Sequence, residues 1–121
     1  MDWKKLQNVS DIRGIAMTGV KGENVNFGPQ VVEKLGKAFV LWLMNAGHSN
    51  IKIALGMDSR ISGPELKNSF IKGATSMSAD VYDCGLASTP AMFMTTKSEK
   101  ICATAGVMLT ASHLPFNRNG L

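Results

Sequence analysis

Apolar residues return along this chain in two rhythms. Between residues 29 and 46, Val31, Leu35, Phe39 with Ala38, Trp42 and Ala46 recur every three or four positions. That spacing predicts a helix with an apolar stripe. Pro29 suits its first turn, and Gly47 suits the position just past its end. Ile51, Ile53, Leu55 and Met57 then alternate with other residues, which is the rhythm of a strand.

The same two rhythms continue downstream. Ser62-Gly63-Pro64-Glu65 opens a second helix. Ser62 and Glu65 stand at the spacing of a capping box, each side chain bonding the other's backbone N–H. Leu66, Phe70, Ala74 and Met77 form its stripe. Val81 to Cys84 reads as a short strand closed by Gly85, and Thr89-Pro90 as the start of a third helix. Ile101 to Ala105 is a continuous small-apolar run, the signature of a fully buried strand. Before residue 29 the rhythm is faint. An extended segment spans Ile12–Met17, and Gly14, Gly19, Gly22 and Gly28 mark turns. Strands alternating with helices through short loops predict an α/β fold, with parallel pairing through right-handed crossovers. Ligands of such sheets sit outside the carboxyl ends of the strands. Two loops qualify, Asp58–Ser62 and Gly106–Gly120.

Composition narrows the picture. At 121 residues the chain is one domain. Its 45% apolar and 18% charged residues exclude a disordered tail. The longest apolar run, residues 38–44, falls far short of the ~20 residues a membrane helix needs, so no membrane partner is expected. Met1-Asp2-Trp3-Lys4-Lys5 leads into no apolar stretch, so a secretory signal is not expected and the cytoplasm is the default location. A net charge of +4 and a pI near 9.3 favour anionic partners. The basic residues are scattered, Lys4-Lys5 being the largest cluster, so a nucleic-acid partner is not expected. Cys84 and Cys102 lack a C-x-x-C spacing and sit in apolar surroundings, which reads as buried reduced thiols.

Several chemistries drop out. No two glycines stand two apart, so the dinucleotide fingerprint is missing. Gly14 and Gly19 have phosphate-loop spacing, but Val20-Lys21 follows where Lys-Ser or Lys-Thr belongs. The two histidines, His48 in a turn and His113 near the end, do not make a tetrahedral metal site. Ser112-His113 lacks the G-x-S-x-G of a hydrolase elbow, and adjacent residues rarely reach nucleophile–base geometry.

The end of the chain is richer. Thr110, Ser112, His113, Asn117, Arg118 and Asn119 crowd polar groups behind an apolar strand. Pro115 restricts the backbone, and Gly120 permits an unusual turn. Ser112 offers a hydroxyl beside an imidazole that can donate or accept a proton. By itself this is either a polar surface loop with side-chain caps or a functional loop at a strand end.

Thr110-Ala111-Ser112-His113, then Pro115, then Asn119-Gly120 resembles the active-site loop of the α-D-phosphohexomutases, the phosphoglucomutase and phosphomannomutase family. That family's loop reads Thr-Ala-Ser-His-Asn-Pro, followed by Asn-Gly-x-Lys. Other landmarks occur in the same order. Asp11-Ile12-Arg13-Gly14 resembles the family's Arg-Gly segment, Gly56-x-Asp58-Ser59-Arg60 its Gly-x-Asp-x-Arg turn, and Gly85 to Pro90 its Gly-x-x-x-Thr-Pro helix start. Leu114 departs from the pattern, standing where the family has Asn, and puts a polar role there in doubt. The family's Lys would follow Leu121.

The resemblance implies a three-layer α/β/α domain with a mixed, mostly parallel central sheet, residues 1–121 being the first of four domains. It implies an isomerase of carbohydrate metabolism working by phosphotransfer. A phosphoserine gives its group to a hexose phosphate, passes through a glucose or mannose 1,6-bisphosphate, and recovers a phosphoryl group. Carried over residue by residue, Ser112 is the phosphoryl carrier and the one Mg²⁺ ligand of this domain. His113 is a hydrogen-bond or proton partner, Arg13 stabilises the phosphoserine charge, and Asn119 and Gly120 shape the loop. Asp58 and Arg60 read as a local ion pair supporting the loop. The partners implied are the hexose phosphate and the remaining domains, so the domain alone is expected to be inactive. A non-catalytic domain of the same fold, binding phospho-ligands or a partner chain, is the alternative.

Overall fold

The computed structural model describes residues 1–121. After a 3-10 turn at Trp3–Leu6 come β1 (Gln7–Asn8), β2 (Asp11–Ile15), α1 (Pro29–Asn45), β3 (Lys52–Met57), α2 (Gly63–Thr75), β4 (Asp80–Leu86), α3 (Thr89–Thr95), β5 (Ala105–Leu109) and β6 (Arg118–Gly120). Three strands form a parallel sheet in the order β4-β3-β5, and three form an antiparallel sheet in the order β1-β2-β6. The two sheets join where the Thr110 N–H donates to the Gly120 carbonyl at 3.0 Å.

Side chains of successive strand residues point to opposite faces. Ile53, Leu55, Val107 and Leu109 face α1 and α2, where they pack with Val32, Val40, Leu43, Leu66, Phe70 and Ala74. On the other face, Met92 of α3 lies over Gly56. The chain is therefore a helix–sheet–helix sandwich of three layers, as expected. α1 begins at Pro29, and Gly47 ends it with a left-handed turn at φ +93°.

Five local expectations are corrected. The stripe of α1 is rotated: Val32, Gly36, Val40 and Leu43 are buried, Val31, Leu35 and Phe39 flank them, and Trp42 is exposed. Two overlapping stripes satisfy the helical period, and Gly36 selects the second. The α2 backbone passes so close that a Cβ on Gly36 would stand 2.6 Å from the Phe70 carbonyl oxygen. The last parallel strand runs Ala105–Leu109 instead of Ile101–Ala105. Gly106, which punctuates the apolar run in sequence, lies inside the strand because the Met92 carbonyl leaves no room for a side chain there.

The capping box does not form. Ser62 is helical and makes no cap bond, because its hydroxyl is taken by Asn119 from another element. The cysteines are free but not buried. Cys84 lies half-exposed on the edge strand β4, and Cys102 stands exposed in the loop before β5. Gly14, expected in a turn, lies within β2.

Candidate active site

The site is built where β3 and β5 end side by side. The Asp58 N–H donates to the Leu109 carbonyl at 3.0 Å, which sets the two loops in register. Asp58 Oδ1 accepts the Arg60 N–H at 3.2 Å, and Oδ2 accepts Arg60 Nε at 3.2 Å and the Thr110 hydroxyl at 2.7 Å. Thr110 Oγ1 in turn accepts the Ser112 N–H at 2.9 Å. Ser112 is exposed and left-handed, at φ +56°. Its hydroxyl oxygen stands 3.4 Å from His113 Nδ1, itself exposed.

The rest of the loop folds back over Arg60. Arg60 Nη1 donates to the carbonyls of Pro115 (2.7 Å) and Arg118 (3.1 Å), and Nη2 to those of Ser112 and Leu114 (2.9 Å each). From the other side, Glu23 accepts Asn117 Nδ2 at 2.7 Å and Arg118 Nη2 at 2.8 Å. Asn119 is fully buried: Nδ2 donates to the Ser62 hydroxyl at 2.9 Å, and Oδ1 accepts the Gly120 N–H. Gly120 makes no unusual turn. It is a β6 residue opposite Arg13, and a Cβ there would stand 2.6 Å from the Ile12 carbonyl oxygen. Asn119 and Gly120 thus form the floor beneath the loop.

Arg13 pairs with Asp11 at 2.7 Å and makes no hydrogen bond to Ser112. It borders an open cleft of about 370 Å³ that it shares with Lys5, Arg118, Leu114 and Pro115. Three cationic side chains therefore line a hollow whose wall belongs to the serine loop. Leu114, the departure from the family pattern, faces this hollow, while its backbone serves Arg60.

The structure thus brings the Ser112 hydroxyl to 3.4 Å from His113 Nδ1, buries Asn119 and Gly120 at the end of the loop, and sets Arg13 on the cleft that Leu114 and Pro115 line, a cleft Ser112 and His113 do not line. It adds Glu23 and Ser62, which sequence reasoning missed, and gives Arg60 a larger part than a local ion pair. Glu23 carried no signal, being a lone acid in a glycine-rich stretch. Ser62 carried a signal that pointed to the wrong partner. As for Mg²⁺, Ser112 Oγ is an accessible hard oxygen of the kind that ion accepts. No three His, Cys, Asp or Glu side chains cluster in the chain, and Asp58 is already engaged by Arg60 and Thr110. The residues present fit one ligand position of such a cation.

A parallel α/β/α unit carrying an exposed serine at the carboxyl end of its sheet is the class of domain these features define. A family model described as phosphoglucomutase/phosphomannomutase, alpha/beta/alpha domain I, matches residues 4–121, and the chain belongs to that family. The phosphoglucosamine mutase of Streptococcus gordonii is 41% identical over 105 residues, covering 85% of this chain and 23% of the relative. That of Clostridium kluyveri is 40% identical over 117 residues, covering 97% of this chain and 24% of the relative. Among solved structures, a phosphoglucomutase/phosphomannomutase family protein of Burkholderia thailandensis superposes with a TM-score of 0.70 at 28% identity. That match covers 91% of this chain and 23% of the other. The chain spans about a quarter of the length of these relatives. No helix is long and apolar enough to cross a membrane.

Proposed function

We propose that the chain is the phosphoserine-bearing first domain of a longer, four-domain phosphohexomutase, an isomerase, with Ser112 as the phosphoryl carrier. The observation that carries this reading is Ser112 itself: exposed, left-handed, at the end of a buried parallel strand, with an imidazole nitrogen 3.4 Å from its hydroxyl. The substrate class is a hexose phosphate. The names of the relatives favour a hexosamine phosphate, such as glucosamine phosphate, over the glucose or mannose phosphates first expected.

In the forward half-reaction the bond between phosphorus and Ser112 Oγ breaks, and a bond forms to a sugar hydroxyl oxygen. The hydroxyl proton leaves the sugar and Ser112 Oγ regains one, with His113 Nδ1 placed to hold or deliver it. The sugar bisphosphate then presents its other phosphoryl group, which returns to Ser112, and the net change is an isomerisation. Phosphoryl transfer depends mostly on positioning and on stabilising charge. Arg13, Lys5 and Arg118 put positive charge around the hollow beside the loop. Ser112 would supply one ligand to Mg²⁺, an ion that neutralises charge on phosphoryl oxygens when bound. The remaining ligands and the sugar-holding groups would come from other domains, so this domain alone turns over no substrate. The cytoplasm is the location proposed.

The test is mass spectrometry of the full-length protein after incubation with a hexose or hexosamine bisphosphate. One phosphate on Ser112 is expected, and label on Ser59, Ser62 or Thr110 instead overturns the assignment. Leu114 favours a second reading, a phospho-ligand-binding domain without turnover. In that case the label never appears, although the sugar phosphate still binds.

A further inference from the structure

We infer that Arg60 is the positioning residue of the serine loop: with Asp58 and Thr110 it holds Ser112 in its left-handed conformation, and it takes no ligand anion itself. A guanidinium carries five N–H donors in a rigid planar fork. Arg60 makes five bonds with them: Nε to Asp58, Nη1 to the carbonyls of Pro115 and Arg118, and Nη2 to those of Ser112 and Leu114. Its side chain is only 12% exposed. No donor is left for a phosphate. In a site that handles anions, this separates Arg60 from Arg13, whose side chain borders the open cleft.

The bonds close into a ring around Ser112. The Ser112 N–H goes to Thr110 Oγ1, and the Thr110 hydroxyl goes to Asp58 Oδ2. Asp58 Oδ2 also accepts Arg60 Nε, and Arg60 Nη2 returns to the Ser112 carbonyl. Both backbone polar groups of Ser112 are thereby held while its Oγ is outside the ring. A serine at positive φ is unfavourable without such support. Lysine would keep the charge, but its ammonium is a point donor and cannot span carbonyls from residue 112 to residue 118. The ring stands on hydrogen bonds alone. Only its consequence for turnover rests on the reading of Ser112 as phosphoryl carrier.

Nitrogen-15 spectra of arginine-labelled chain test the ring directly. Arg60 should show separate, slowly exchanging Nη–H resonances, and a single averaged signal overturns the proposal. In Arg60→Lys the amides of Ser112, Leu114 and Arg118 should exchange at least about tenfold faster, with Ile53 and Leu55 of β3 within about twofold of the parent. An unchanged loop overturns it. Should Arg60→Lys fail to fold, Thr110→Val opens the ring more gently: Ser112 alone should exchange faster, and no change there overturns the ring. In the full-length enzyme, Arg60→Lys should lower kcat by about a hundredfold or more with KM within about threefold. A raised KM with unchanged kcat would mean that the guanidinium binds substrate, and refutes the inference. The two readings fail separately. A loosened loop with no phosphate on Ser112 refutes only the carrier assignment. A labelled Ser112 with an unloosened Arg60→Lys loop refutes only the ring.

Discussion

The two halves of this molecule are held together by different physics. Around β3, Ile53, Leu55, Phe70 and Val40 are buried among other apolar groups, and burial is nondirectional. Around β6 and the serine loop, cohesion comes from named atoms: Glu23 on Asn117 and Arg118, Asn119 on Ser62, and Arg60 on four carbonyls. A core tolerates exchange between side chains of similar volume. A polar network does not, because removing one partner strands the other without water. The first half supplies a rigid platform, and the second sets one serine at a chosen angle on its edge.

That contrast can be broken at either end. The largest effect is expected at Ser112. In the full-length enzyme, Ser112→Ala should lower turnover by ~10³-fold or more, since no neighbouring hydroxyl can hold the group in line. The melting curve of the same variant should shift by less than ~1 kcal/mol, because Ser112 lies on an exposed loop. Near-normal turnover would remove Ser112 from the chemistry.

Next comes the platform. Phe70→Ala opens the packing between α1, α2 and the sheet, and should cost about 3–5 kcal/mol in denaturant unfolding. Its damage should be global, with loop and sheet amides losing protection together. Loss confined to the loop would contradict the division drawn above.

Asn119→Ala should cost less, about 1–3 kcal/mol, because it strands the Ser62 hydroxyl and the Gly120 N–H beneath the loop. Hydrogen exchange should show the effect concentrated in residues 110–121. An even spread over α1 and β3 would make Asn119 a core residue in all but chemistry.

The smallest effect concerns the carboxylates away from the site. Hydrogen bonds from Lys72 and then Lys37 hold the Glu33 carboxyl below its ordinary value of 4.5, and one from Lys67 holds Asp83 below 3.8. A carboxylate with a lowered folded pKa binds its proton less readily folded than unfolded. Its contribution is therefore complete above the unfolded value and fades as pH falls through the folded one. Glu33→Gln should lower the neutral plateau of the melting-temperature profile slightly, as loss of exposed ion pairs does, and converge on the parent well below pH 4.5, so that the acid side becomes flatter. A change at pH 7 as large as that of Asn119→Ala would show that the pairs of Glu33 with Lys37 and Lys72 do more than surface pairs usually do.

The rhythm of the chain by itself determined the alternation of strands and helices, the start of α1 at Pro29, the turn at Gly47, and the two loops that meet at the sheet's carboxyl edge. These features rest on neighbours within one or two turns, and local spacing reports them. Thr110-Ala111-Ser112-His113 also marked the candidate site, because the chemistry of a short loop is contiguous. The tertiary structure alone decided which stripe of α1 is buried, where β5 begins, and what Ser62 bonds. In each case a distant backbone or side chain intervenes: Phe70 over Gly36, Met92 over Gly106, and Asn119 on Ser62. Arg60 reaches more than fifty residues ahead to the serine loop, and Glu23 more than ninety. Contacts of that span leave no period in a sequence, because their partners become neighbours only after the sheet has paired.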